Sequence, residues 1–132
     1  MPNNLITRLL EVLVLASIAL PAAAADRVRA GQWETTLNLA GKTVTKSVCI
    51  PQADADAING DANSVRGYAE RATAATGCKA TDVKVNGNQV TVTSVCASGK
   101  ESVGTTTYHG DSVETVNTNG LKSQAKWVGP CK

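Results

Sequence analysis

Between Cys78 and Cys96 the chain reads CKATDVKVNGNQVTVTSVC, two alternating runs on either side of a tight turn. Val83 and Val85 alternate with Asp82 and Lys84, and Val90 and Val92 alternate with Thr91 and Thr93. A period of two puts each valine set on one face of a strand. Gly87 and Asn88 tolerate positive φ and suit a two-residue hairpin loop. That loop pairs Val85 with Val90 and Val83 with Val92, with all four valines on one side. The same register sets Lys79 opposite Cys96. A Cys78–Cys96 bridge therefore requires a bulge, a different loop, or a bend near Gly77. This segment is expected to form the central hairpin, with the other strands added to it.

The flanking segments alternate in the same way. Trp33, Thr35, Leu37 and Leu39 share one face of a first strand, and Val44, Val48 and Ile50 one face of a second, with Ala40-Gly41-Lys42 as the turn. Cys49 points away from Val48 and Ile50. Pro51 ends this hairpin, and residues 52–76 lose the alternation. Ala62, Val65, Ala69 and Ala72 recur at steps of three and four, which predicts a helix over 61–75 capped by Asp61 and ended by Gly77. Residues 53–58 have room for a further short turn of helix before Asn59-Gly60. After the hairpin come strands over 101–109, 112–118 and 121–128, separated by Gly110-Asp111 and Asn119-Gly120. Val113 and Val116 fall on opposite faces. Leu121, Ser123, Ala125 and Trp127 share one. The predicted fold is mainly β (α+β): about seven antiparallel strands in a meander or half-barrel, with one helix inserted between strands two and three. Whether the sheet stays open or closes is left undecided by the pattern.

Composition then sets the compartment. Leu9 to Leu20 is an apolar run, interrupted by Glu11 and preceded by Arg8; Pro21 and four alanines follow. The run is too short to span a bilayer, and Ala23-x-Ala25 fits a small-residue cleavage site. Residues 1–25 are read as a signal peptide and 26–132 as a single disulfide-stabilised domain, periplasmic or secreted after cleavage near Ala25. No stable membrane insertion of the mature chain is expected. All four cysteines, Cys49, Cys78, Cys96 and Cys131, lie in the mature part. An even count in a short exported chain reads as two disulfides. Of the three possible pairings, 78–96 is favoured because the hairpin holds those two close, which leaves 49–131. The chain has no Phe, two Trp and two Tyr, so valine and threonine must fill much of the interior and cross-links matter. The net charge is +2 with no basic run, which gives no footprint for nucleic acid.

Candidate chemistry is sparse. His109, the one histidine, stands beside Gly110-Asp111, so a His109–Asp111 pair is conceivable for general-base work. No nucleophile accompanies it, and a solvated turn residue is the plainer reading. Asp54, Asp56 and Asp61 around Asn59-Gly60 resemble a calcium loop out of register, with Ile58 at a ligand position, so helix-start acids explain them better. The cysteines lack C-x-x-C spacing, and neither zinc nor redox chemistry is expected. No cofactor is expected, as no nucleotide or phosphate fingerprint occurs. Trp33 and Trp127 begin and end the β-region. With Tyr108 they are the residues that would face a ligand if the first and last strands approach, and otherwise they are core.

In order, Gly31-Gln32-Trp33-Glu34, Cys49-Ile50-Pro51, Cys78, Asp82-Val83-Lys84-Val85-Asn86-Gly87-Asn88, Val95-Cys96, Tyr108-His109-Gly110-Asp111-Ser112 and Gly129-Pro130-Cys131-Lys132 resemble the DUF3617 proteins, exported bacterial domains of unknown function. Relatives usually carry Thr-Pro-Glu after the first cysteine and arginines before the final Gly-Pro-Cys. Here those places hold Pro51-Gln52 and Ala125-Lys126-Trp127-Val128. The resemblance implies a periplasmic β-protein and supplies no activity. The expected function is a non-enzymatic protein that binds a protein partner or small ligand through its sheet. A small enzyme using His109 and Asp111, and an envelope structural or stress-protection protein, are the alternatives.

Overall fold

The computed structural model describes residues 26–132. The leader placed on 1–25 lies outside the described residues. Seven strands form one antiparallel sheet: β1 (Gly31–Leu39), β2 (Lys42–Ile50), β3 (Cys78–Asn86), β4 (Gln89–Cys96), β5 (Glu101–Tyr108), β6 (Ser112–Asn117) and β7 (Lys122–Gly129). Two helices, α1 (Gln52–Asn59) and α2 (Ala62–Ala74), lie between β2 and β3 in sequence. The strand order is β2-β1-β7-β6-β5-β4-β3, and the sheet is open. The chain's first and last strands are therefore neighbours, and Trp33 stands directly opposite Trp127.

The pattern around Cys78–Cys96 fixes the hairpin register as expected, with Val85 opposite Val90 and Val83 opposite Val92. The register shifts between Ala80 and Asp82, where Thr81 is the extra residue, and this bulge brings Cys78 opposite Cys96. Cys78–Cys96 and Cys49–Cys131 are both disulfide-bonded, with Cα–Cα distances of 4.0 and 5.5 Å. The hairpin is not central, however: β3 is an edge strand. Consecutive strands β2 and β3 occupy opposite edges, and the helical segment carries the chain from one to the other.

That segment holds two helices where one was expected. Pro51 starts α1 with its extended backbone, and Gly60, also extended, ends it. Asp61 then caps α2, its carboxylate accepting from the Ser64 amide at 2.9 Å. The first helix is short and presents Ala55 and Ile58 to the core; two apolar positions are too few to show a helical period. The core lies between the helices and one face of the sheet. One cluster joins Val28, Trp33, Ala55 and Ile58; the other joins Val65, Ala69, Val83 and Val90; Tyr108 packs against both. On β6, Val113 packs into the first cluster, whereas Val116 faces solvent.

Candidate functional site

The segment before β1 positions the site. Arg27 is 9% exposed and has carbonyl partners rather than a carboxylate. Its Nε donates to the Gly87 carbonyl at 2.8 Å, and its Nη1 donates to those of Ile58 (2.8 Å) and Gly60 (3.1 Å). One guanidinium thus ties the β3–β4 turn to the C-terminal end of α1, where helix carbonyls lack intrahelical partners. Asn59 pins the next residue from both sides: its Oδ1 accepts from the Val28 amide at 2.9 Å and its Nδ2 donates to the Val28 carbonyl at 2.8 Å. Two indoles then take up the following carbonyls, Trp33 Nε1 donating to Arg29 and Trp127 Nε1 to Ala30, each at 3.0 Å. Gly31 sits between them at φ +142, and a Cβ there would overlap Trp127 Nε1 and the Gly129 carbonyl oxygen. Only glycine fits this close approach.

Beneath the helices this arrangement leaves a cavity of about 200 Å³. Trp33, Tyr108, Val113 and Ala125 line it from the sheet, and Ile58 and Tyr68 from the helices. Thr35, Thr106 and Thr115 add hydroxyls on the same sheet face. Burial pushes the Tyr108 phenol up to about 12. Burial, then the nearby Asp54 carboxylate, raises Tyr68. Both phenols therefore stay protonated at neutral pH and can donate a hydrogen bond to a guest.

A larger cleft, about 650 Å³, opens beside the N-terminal segment, with Asp26, Arg29, Gln52, Asp56 and Asp111 among its walls. Its polar groups pair with one another. Gln52 donates to Asp56 at 2.7 Å, and Arg29 lies 3.5 Å from Asp111 while stacking 3.6 Å over the Trp127 ring. The charged pair is more than half exposed. The cleft leaves few free groups to read a ligand.

Of the residues singled out by sequence, Trp33 and Tyr108 line the smaller cavity. Trp127 packs against the neighbouring cluster, with its ring covered by Arg29. His109 and Asp111 turn to different partners: His109 Nε2 is 4.0 Å from Glu114, whereas Asp111 meets Arg29. Both are exposed, and the backbone bond between them joins the Asp111 amide to the His109 carbonyl at 3.2 Å. Among the described residues, no three His, Cys, Asp or Glu side chains gather at metal-binding distance. No described helix is long and apolar enough to cross a membrane.

The family model described as "Protein of unknown function (DUF3617)" matches residues 28–131. The chain belongs to the DUF3617 family. No curated protein and no solved structure matches it. In this DUF3617 chain the matched span begins at the pinned Val28 and ends at the bridged Cys131. It includes Gly31-Gln32-Trp33-Glu34, whose Gly31 and Trp33 now have physical roles in the indole–carbonyl contacts. Arg27 and Asn59 escaped sequence reasoning. One arginine of the Arg27-Val28-Arg29 stretch, and an Asn-Gly between helices, carry no signal of their long-range partners. Tyr68 lies on α2, and its meeting with Tyr108 depends on how α2 crosses the sheet.

Proposed function

We propose that this protein is exported after loss of residues 1–25 and acts without catalysis, holding a small amphipathic molecule against the helix-covered face of its sheet. The two disulfides fit a periplasmic or extracellular setting. The observation that carries the proposal is the cavity under α1 and α2. Apolar walls with a few placed hydroxyls are the usual lining of a small-molecule site, and here Trp33, Ile58, Val113 and Ala125 meet two protonated phenols and three threonines. The cavity is small beside a drug-sized site, so it would hold one end of a guest rather than all of it. The separation of His109 from Asp111 favours binding over general-base chemistry.

Native mass spectrometry of the full chain, expressed with its own N-terminal segment and isolated without reductant, tests this. The expected result is a retained small molecule that leaves on denaturation, or uptake of an added apolar dye. Thr35→Trp, which puts an indole in place of a lining hydroxyl, should abolish either. A chain that comes out bare and takes up no dye, but crosslinks to another protein, would replace this reading with the protein-partner one.

A further inference from the structure

The antiparallel register assigns every strand residue to a face. Trp33 is opposite Val48 and Trp127, Ala125 is opposite Val113, Val113 opposite Tyr108, Thr106 opposite Val90, and Val90 opposite Val85. This set, which packs under the helices, defines the inner face. The strand carboxylates are Glu34, Asp82, Glu101 and Glu114. Each pairs with outer-face residues: Glu34 with Ser47 and Lys126, Asp82 with Thr93, Glu101 with Val95, and Glu114 with Gln124 and Thr107. The inner face of the sheet therefore carries no carboxylate. Its charged side chains are Lys42 and Lys46 on β2, opposite Leu39 and Thr35. No carboxylate oxygen comes within 4.0 Å of either ammonium among the described residues. Of the acids on the helical roof, Asp54 acts on Tyr68 at the cavity wall.

The two lysines border a shallow apolar groove of about 340 Å³, formed with Leu37, Leu39, Val44 and Leu121. Leu39 and Val44 are 48% and 50% exposed, an unusual position for large apolar groups on the face that carries the core. The groove and the cavity meet at the Thr35–Lys46 pair, because Thr35 lines one and Lys46 the other. From the Leu37–Val44 pair, midway between the two lysines, to the Trp33–Val48 pair is roughly 13 Å along the strands, at about 3.3 Å per residue. Tyr108 lies three strands across from Thr35, roughly 14 Å at about 4.8 Å per strand. An extended long acyl chain reaches from the lysines to either residue.

We propose that the guest is a free, single-chain anionic amphiphile of the long-chain carboxylate class. Its head group sits between the Lys42 and Lys46 ammonium groups. Its chain lies along Leu37 and Thr35 and ends in the cavity beside Trp33 and Tyr108. This rests on the small-ligand reading above and adds the sign of the charge and the direction of the chain. A carboxylate-free face with two unpaired lysines attracts an anion, and the outer face, where the strand acids lie, does not. Two partly exposed charge contacts give modest rather than dominant affinity, and the apolar chain supplies the rest.

The test is calorimetric titration of the oxidised full-length product with palmitate and with hexadecanol, which has the same chain and no charge. Palmitate should bind one to one and roughly five- to tenfold tighter than hexadecanol, from two exposed charge contacts. The Lys42→Glu/Lys46→Glu double variant should erase that difference, leave hexadecanol binding in place, and keep the near-ultraviolet circular dichroism unchanged. Equal binding of both probes, unmoved by the charge reversal, would overturn the anionic head group and keep the cavity. Failure of both probes to bind would overturn the cavity reading as well. Adsorption to anionic phospholipid vesicles without uptake of monomeric palmitate would replace the free ligand with a bilayer surface.

Discussion

Tyr108 is the side chain on which the two halves of the core meet, packing against the Val28–Trp33 cluster and against the Val83–Val90 cluster. Ionising it would place a charge among those apolar groups, which is why burial moves its pKa from 10.0 to about 12. The sign of the stability effect follows. The neutral phenol is favoured in the fold, so its contribution is fully present below pH 10 and is lost as pH rises through about 12. A two-unit difference corresponds to about 2–3 kcal/mol. Melting temperature should fall between pH 10 and 12, and Tyr108→Phe should flatten that fall, with Tyr68 supplying a smaller residual slope. Equal slopes in the two proteins would remove Tyr108 from this account. The sequence places Tyr108 correctly in an alternating strand, but strand parity alone leaves it as one of several inward residues. Its depth depends on α2 delivering Tyr68, Val65 and Ala69 to the same place. Arg27 is less legible still: its three carbonyl partners lie 31, 33 and 60 residues away, and none is a residue type that advertises a contact.

At the scale of elements, what local pattern dictates is found, and what distant pairing dictates is not. The valine alternation and the Gly87-Asn88 turn set the β3–β4 register because a hairpin's two strands are tied by their own loop. The Asp61 cap and the Val65–Ala69 stripe place α2 for the same local reason. The bulge is the exception that can be reasoned out: a regular ladder sets Lys79 against Cys96, and one extra residue is the smallest change that returns Cys78 to the correct face. Thr81 is that residue, held by its hydroxyl donating to the Thr93 carbonyl at 3.3 Å. Deleting Thr81 should straighten the ladder, because Asp82 then follows directly on Ala80 and Cys78 still stands opposite Cys96. Alkylation followed by mass measurement should find no free thiols, as in the parent. A deletion variant that exposes two thiols would show that the bulge shapes the disulfide beyond absorbing one extra residue.

For the whole molecule, the decisive fact is that β1 and β7 are paired, which no local signal announces. It puts β2 and β3 at opposite edges and requires the helices to span the face between them, which creates the cavity. The Cys49–Cys131 bridge secures this closure. It joins edge strand β2 to the chain just after β7, at a sequence separation of 82, against 18 for Cys78–Cys96. In the chain-entropy picture the longer loop contributes about 4.5 kcal/mol and the shorter about 3. The shorter bridge also lies in a hairpin whose ladder already holds its ends together. Cys49→Ser/Cys131→Ser should therefore cost more in urea unfolding than Cys78→Ser/Cys96→Ser. It should also weaken uptake of an apolar probe at temperatures where the protein is still folded. Val44, Lys46 and Val48 all stand on β2, which without the bridge keeps only its pairing with β1. If the hairpin bridge costs more instead, or if probe uptake ignores the loss of the longer one, the β2 edge is held by its ladder alone. The site would then owe nothing to the cross-link that spans most of the described chain.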